Sequence, residues 1–323
     1  MFNGFDLSTI QNCYIGGTAA RAIYYGSVKI WPTGHDYSHD YFTIVSLANN
    51  NVISWQSVES TYTKTISVST DDGNTWTSYT SAPYTPTVLG TLNNGDKMLI
   101  KGNNTVYYDG QSYYSWFATS ADYNIEGNIM SLIYEDNFIN QTSFPNNSSC
   151  NFSELFWHSD KLISAENLIL PATTLTESCY ANMFTDCTSL TTSPNLPATT
   201  LAQGCYGGMF IGCSSLVSVP TILPATTLAD YCYDEMFKYC SSLVTAPELP
   251  ATTLTTRCYN EIFEDCTSLN YIKCLATDIS AYQSTFNMTY NVAATGTFVK
   301  DATMTSWITG NDGIPLNWHV IDA

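Results

Sequence analysis

The sequence predicts an α+β chain in three parts. A small N-terminal β attachment module (1–36) precedes a β-sandwich-like domain (37–120), and a repeat-built solenoid (121–285) follows, closed by a C-terminal cap (286–323). Three observations predict it. A hexapeptide occurs unchanged four times in the second half. In the first half, clusters of Asn, Asp and Gly punctuate short strand-like runs. The apolar fraction of 44% and the aromatic fraction of 14% are too high for a disordered chain.

Residues 1–36 read as short strands joined by glycine turns. They carry Tyr14, Ile23, Tyr24, Tyr25, Ile30 and Trp31, more apolar surface than so small a segment can bury by itself. Those side chains call for another surface, in a neighbouring domain or a partner protein. The opening Met1-Phe2-Asn3-Gly4-Phe5-Asp6 lacks the basic stretch and apolar run of a secretory signal, so synthesis in a cytoplasm is expected.

Residues 37–120 alternate in strand fashion, with runs expected at 41–47, 65–70, 87–89, 97–101 and 105–108. Turn clusters such as Asp71-Asp72-Gly73-Asn74 and Asn93-Asn94-Gly95-Asp96 separate them. About 80 residues of this kind suggest a small sandwich of two sheets.

The repeat dominates the rest. Leu170-Pro171-Ala172-Thr173-Thr174-Leu175 returns at Leu196, Leu223 and Leu249, at spacings of 26, 27 and 26. A second motif follows in phase: Cys179-Tyr180-x-x-Met183-Phe184-x-x-Cys187-x-Ser189-Leu190, with later copies from Cys205, Cys232 and Cys258. A weaker copy begins at Phe152, and residues 127–162 are expected to form the leading rungs. This period fits a leucine-rich repeat with one strand and one helix per unit. The helix is expected over 176–185, because Cys179 and Met183, and Tyr180 and Phe184, lie four apart. Gly212 reads as a helix stop. A lone unit cannot offset its conformational entropy, so units must stack and the ends need caps. From Leu275 the period is lost, which suits a trailing cap.

These repeat residues resemble the BspA-like class of bacterial leucine-rich repeats over roughly residues 125–323. That class occurs in bacterial surface adhesins and in structural proteins of phages infecting gut anaerobes. The segment Ile23-Tyr24-Tyr25-Gly26-Ser27-x-x-Ile30-Trp31-Pro32 resembles the attachment module that opens many phage fibre and tail proteins. Together the two resemblances imply a phage virion structural protein, a head or tail fibre or decoration protein, and, as with many phage fibres, a homotrimer.

Net charge and motif chemistry narrow the function. With 28 acidic against 10 basic residues the chain carries a net charge of −18, which repels phosphate backbones and excludes nucleic acid as a partner. No run approaches the 18 apolar residues of a membrane span. The eight repeat cysteines are paired eight apart, unlike zinc ligands, and read as inward-facing small hydrophobes. The string from Ser69 to Trp76 matches an Asp-box, a hairpin turn in which Asp satisfies backbone donors. One copy, in a chain with two arginines (Arg21 and Arg257), does not make a sialidase. Asp234, Glu235, Glu261, Glu264 and Asp265 read as a solvated outer face rather than a hydrolytic pair. His35, His39, His158 and His319 are scattered.

The expected function is therefore structural and adhesive, with no enzyme activity, no metal and no cofactor. Docking to virion capsid or tail proteins falls to Tyr14, Ile23, Tyr24, Tyr25, Ile30 and Trp31. A host surface protein or glycan would meet Tyr108, Tyr113, Tyr114 and Trp116, whose rings combine an apolar face with a polar edge. The expected location is the virion, after synthesis in the host bacterial cytoplasm. A bacterial surface or secreted adhesin is the alternative reading, and a glycan hydrolase stands third.

Overall fold

The computed structural model describes residues 36–57, 64–82, 84–108, 115–145 and 148–323, with the backbone of four short strands before them. Those four are β1 (Tyr14–Ile15), β2 (Thr18–Ala19), β3 (Ile23–Tyr25) and β4 (Val28–Trp31), which form two antiparallel pairs, β1 with β2 and β3 with β4.

Two sheets then face each other. The strands are β5 (Phe42–Ser46), β6 (Asn51–Ser57), β7 (Thr65–Ser69), β8 (Thr77–Thr80), β9 (Thr87–Leu92), β10 (Lys97–Gly102), β11 (Ser115–Thr119), β12 (Tyr123–Asn128) and β13 (Leu162–Ile169). Six of them run in the order β13-β12-β5-β10-β7-β8, and three in the order β11-β6-β9. The Phe42 ring of one sheet meets Phe117 of the other at 5.5 Å. On β6, Asn51, Ile53, Trp55 and Ser57 are buried while the residues between them are half-exposed, the period of two expected of a strand covered on one face. The expected strand at 105–108 is absent. There the Tyr107 amide bonds the Asn151 carbonyl at 2.9 Å instead of entering a ladder.

The expected α+β class, with one helix in every repeat of a leucine-rich-repeat solenoid, is wrong. The chain is β-rich with open sheets, and among the described residues its one α-helix, α1, is the four residues Ser131–Tyr134. The reason lies in where the repeat amides go. Over residues 176–187 alternate amides close turns three residues back, as from Cys179 to Thr176, Met183 to Tyr180 and Cys187 to Phe184. The amides between them leave the segment and bond the following coil: Ser178 to Gln203, Tyr180 to Cys205, Asn182 to Gly207, Phe184 to Met209. An α-helix would keep all of them for its own carbonyls four residues back.

Each turn segment is thus a spiral of tight turns with a strict four-residue cycle. Every fourth residue takes positive φ: Ser178, Asn182 and Asp186, then Gly204, Gly208 and Gly212, then Tyr231, Glu235 and Tyr239, then Arg257, Glu261 and Asp265. Cys150, Glu154 and His158 precede them in the same conformation, and Gln283, Asn287 and Asn291 follow. Gly212 is therefore one of these left-handed positions and stops no helix. Two side chains point in and two point out in each cycle, so Cys179 and Tyr180, Met183 and Phe184, and Cys187 are all buried.

Six coils stack in this way. Rings from the first five form two columns whose neighbours lie 5.3 to 6.1 Å apart. Phe152, Tyr180, Tyr206, Tyr233 and Tyr259 make one; Phe156, Phe184, Phe210, Phe237 and Phe263 make the other. Neither column begins in the coils. Tyr107 stacks on Phe152 at 5.9 Å, Phe117 stacks on Phe156 at 6.3 Å, and β12 pairs in parallel with β13. The two-sheet unit and the coils share one hydrophobic core. At the far end β14 (Tyr271–Cys274), β15 (Thr297–Lys300) and β16 (His319–Asp322) form a parallel sheet, with Trp307 and Trp318 almost buried.

Candidate binding surfaces

The six expected attachment residues fall on β1, β3 and β4, and their side chains lie outside the described residues. Of the expected ligand aromatics, Tyr113 and Tyr114 are also outside. Tyr108 and Trp116 are half-buried. Trp116 points away from the core between buried Ser115 and Phe117, and with His158 and Lys161 it lines a hollow of about 50 Å³. This is too small for a sugar ring to enter.

The Asp-box forms the turn expected of it. Asp71 accepts from the Thr75 amide at 2.9 Å, the Thr75 hydroxyl at 2.7 Å and the Ser69 hydroxyl at 2.7 Å. Bonds to the ionised form hold its carboxyl down at about 2, the Thr75 hydroxyl contributing most. Trp76 donates to the Gly73 carbonyl at 3.1 Å, and the Lys101 ammonium sits 4.2 Å from its ring. The polar groups of Ser69, Asp71, Thr75 and Trp76 are thus engaged within the turn.

The repeat thiols are buried and unbridged. Cys187, Cys213, Cys240 and Cys266 each donate to a phenylalanine carbonyl one coil back, at 3.0 to 3.2 Å. Burial raises all four thiol pKa values, so they stay protonated and can donate. The expected acidic outer face is more ordered than a solvated surface. Lys238 gathers Glu261, Glu264 (3.3 Å) and Glu235 (4.0 Å). Burial acts to lower the lysine's pKa, but the bond to Glu261 and the three charges outweigh it and hold it raised. Asp234 accepts from Asn260 at 2.6 Å, and burial pushes its carboxyl up to about 6.

Two exposed surfaces remain. The first falls on 217–222 and 244–248, neutral stretches rich in Thr, Val and Pro that the sequence offers as a second candidate surface without an obvious hot spot; the second is one that sequence reasoning missed. On the sheet side of the coils, Val217, Val219, Pro220, Thr245 and Tyr271 line a groove of about 430 Å³, closed by the Glu248–Lys273 ion pair at 3.0 Å. Val217 there is 60% exposed. On the turn side, the sixth coil presents Tyr282, Phe286 and Tyr290, which are 69%, 40% and 43% exposed. Their carbonyls accept the amides of Arg257, Glu261 and Asp265, so the three ride in file on the fifth coil. The signal that could have found them is the spacing Tyr-x-x-x-Phe-x-x-x-Tyr, which matches the four-residue cycle once that cycle is known.

Described helices include none long and apolar enough to cross a membrane. Comparison with known proteins returned no matching family model, no similar curated sequence and no similar solved structure.

Proposed function

We propose that this chain is a structural and adhesive component of a phage particle. The N-terminal residues dock it to capsid or tail proteins, and the stacked coils carry the surface that meets the host. The observation that supports this reading is the continuity of the two aromatic columns from Tyr107 and Phe117 through to Tyr259 and Phe263. Close-packed interiors transmit strain, and columns that cross from the sheets to the coils leave no soft joint between them. A stiff body of this kind holds a distal surface at a fixed distance from its mooring, which suits a fibre or decoration role. The resemblance of Ile23–Trp31 to a fibre attachment segment supplies the docking half.

The test is a chain lacking residues 1–36. It should keep the far-ultraviolet spectrum and melting temperature of the remainder, yet be missing from purified particles assembled in its presence. Normal incorporation of the shortened chain would end the docking assignment.

A further inference from the structure

We infer that Tyr282, Phe286 and Tyr290 form a platform that binds an uncharged polysaccharide chain. This deepens the adhesive half of the proposed function and is independent of the docking half.

The platform follows from the coil itself. In residues 281–291 the turn amides run from Ser284 to Ala281, Phe286 to Gln283, Met288 to Thr285 and Tyr290 to Asn287. Ser284, Thr285, Met288 and Thr289 point inward and are buried, so residues 282–283, 286–287 and 290–291 point out. Each outward pair is an aromatic followed by an amide: Tyr282-Gln283, Phe286-Asn287, Tyr290-Asn291. Since the turn cycle repeats every four residues, the three rings repeat along the coil in one direction. Each step is far shorter than the roughly 13 Å of four extended residues, because hydrogen-bonded turns fold the chain back.

In the earlier coils the same positions hold small or polar residues apart from Ile211 and a lone Trp157 in the first coil, so none of them carries three aromatics in line. Ala181 and Gly207 align with Phe286, as do Asp234 and Asn260; Thr185, Ile211, Lys238 and Glu264 align with Tyr290. The aromatic file therefore belongs to the last coil, which lies between the fifth coil and the turn at 310–313 that covers it. Three exposed rings are costly to leave in water and mark an interaction site.

Charge selects the ligand. Asn291 donates to Asp265 at 2.6 Å, Asn287 donates to Glu264 at 3.2 Å, and the Asn287 amide bonds Asp312 at 2.7 Å. Carboxylates thus flank the file, while the two basic groups nearest it on the turn face are already engaged, Arg257 by Asp234 at 4.0 Å and Lys238 by three glutamates. A sulfated, phosphorylated or sialylated chain would be repelled. A neutral sugar offers what the file accepts: an apolar ring face for each aromatic, and hydroxyls for Gln283 and for the amide oxygens of Asn287 and Asn291, whose nitrogens are already bonded.

Affinity electrophoresis of the full chain through gels containing hydroxyethylcellulose, yeast mannan or heparin tests this. The parent should be retarded by at least one neutral polymer and not by heparin. Tyr282→Ala, Phe286→Ala and Tyr290→Ala should each weaken retardation roughly 3- to 10-fold. The triple variant should migrate freely while melting at the parent's temperature, and Tyr290→Trp should retain binding. Tyr271→Ala, in the sheet-side groove, should bind as the parent does. The inference is overturned if the triple variant is retarded like the parent, if Tyr271→Ala alone abolishes retardation, or if no neutral polymer retards the parent. Adhesion of labelled protein to host cells separates the two levels. Adhesion unaffected by the triple change leaves the adhesive role standing and removes the platform. Neutral-glycan binding through the file without cell adhesion does the reverse.

Discussion

The Tyr107 ring stacks on Phe152 across 45 residues of chain, with centroids 5.9 Å apart and planes 24° apart, and its hydroxyl donates to the Leu132 carbonyl at 2.9 Å. Because the Tyr107 ring packs on the first coil while Asn104 joins its hydroxyl to the Thr65 carbonyl of β7, the sheets and the coils should unfold together. Tyr107→Ala should cost about 3–5 kcal/mol, the usual range for truncating a large buried aromatic. In denaturant the parent should show one transition, coincident by fluorescence and circular dichroism. Two separated transitions in the parent would mean that the columns do not join the two parts.

Gly208 sits at a left-handed position with φ of 62°, but other coils place Asn182 or Glu235 in that conformation, so φ alone does not require glycine there. What a larger residue meets there is the tip of the Asn182 side chain, which must swing aside to admit it. A Cβ on Gly208 would lie 2.1 Å from the Asn182 Oδ1. Gly208→Ala should therefore destabilise by about 2–4 kcal/mol, combining backbone strain with overpacking. Adding Asn182→Gly should restore the packing share, leaving the strain of about 1–2 kcal/mol. If the double variant is simply the sum of the two single ones, the clash has been misjudged.

Much of this coil was readable in the sequence, and part was hidden for a definite reason. The phase of the four hexapeptides fixed which side chains go inward, because adjacent pairs such as Cys179-Tyr180 and Met183-Phe184 recur at one spacing. The backbone that carries them was misread because pairs spaced by four also fit one face of a helix. The discriminating signal was Gly204, Gly208 and Gly212, three poor helix residues four apart inside the supposed helix. The sixth coil escaped notice because Thr285 and Thr289 stand where Tyr and Phe stood, which tapers the columns and erases the motif. That hid the Tyr282–Phe286–Tyr290 file as well. Tyr107 and Phe117 gave no sign of their role, since the contacts that extend the columns to them have no period.

The thiols give a third expectation. Cys187, Cys213, Cys240 and Cys266 are fully buried, protonated and already donating to carbonyls, which removes both access and the reactive thiolate. Cys150, half-buried at the first coil, is the most accessible of the described cysteines. A maleimide at neutral pH should label Cys150 promptly and the repeat thiols only after denaturation, as read by peptide mass. Fast labelling of Cys213 in the native protein would contradict the packing.

Tyr206 is buried between Tyr180 and Tyr233, yet its hydroxyl, like that of Tyr180, finds no hydrogen-bond partner. An unpaired buried hydroxyl costs about 1–3 kcal/mol, and removing it costs little packing. Tyr206→Phe should leave stability unchanged or raise it by about 1 kcal/mol in denaturant titration. A loss above about 1 kcal/mol would place a partner on that oxygen.

Asp234 sets a pH dependence whose sign is opposite to that of most carboxylates. Burial raises its pKa from 3.8 to about 6, against the opposing bond from Asn260 and the charge of Arg257. Between those values the folded chain holds a proton that the unfolded chain has lost, so stability falls as pH rises. The contribution is complete below about 4 and gone above about 6. Asp234→Asn keeps an oxygen for the Asn260 amide but cannot ionise. Its melting temperature, minus the parent's, should therefore climb between pH 4 and pH 6 and stay positive at pH 7. A difference that is flat across this window, or negative at pH 7, would show that the ionised carboxylate is the form the fold prefers.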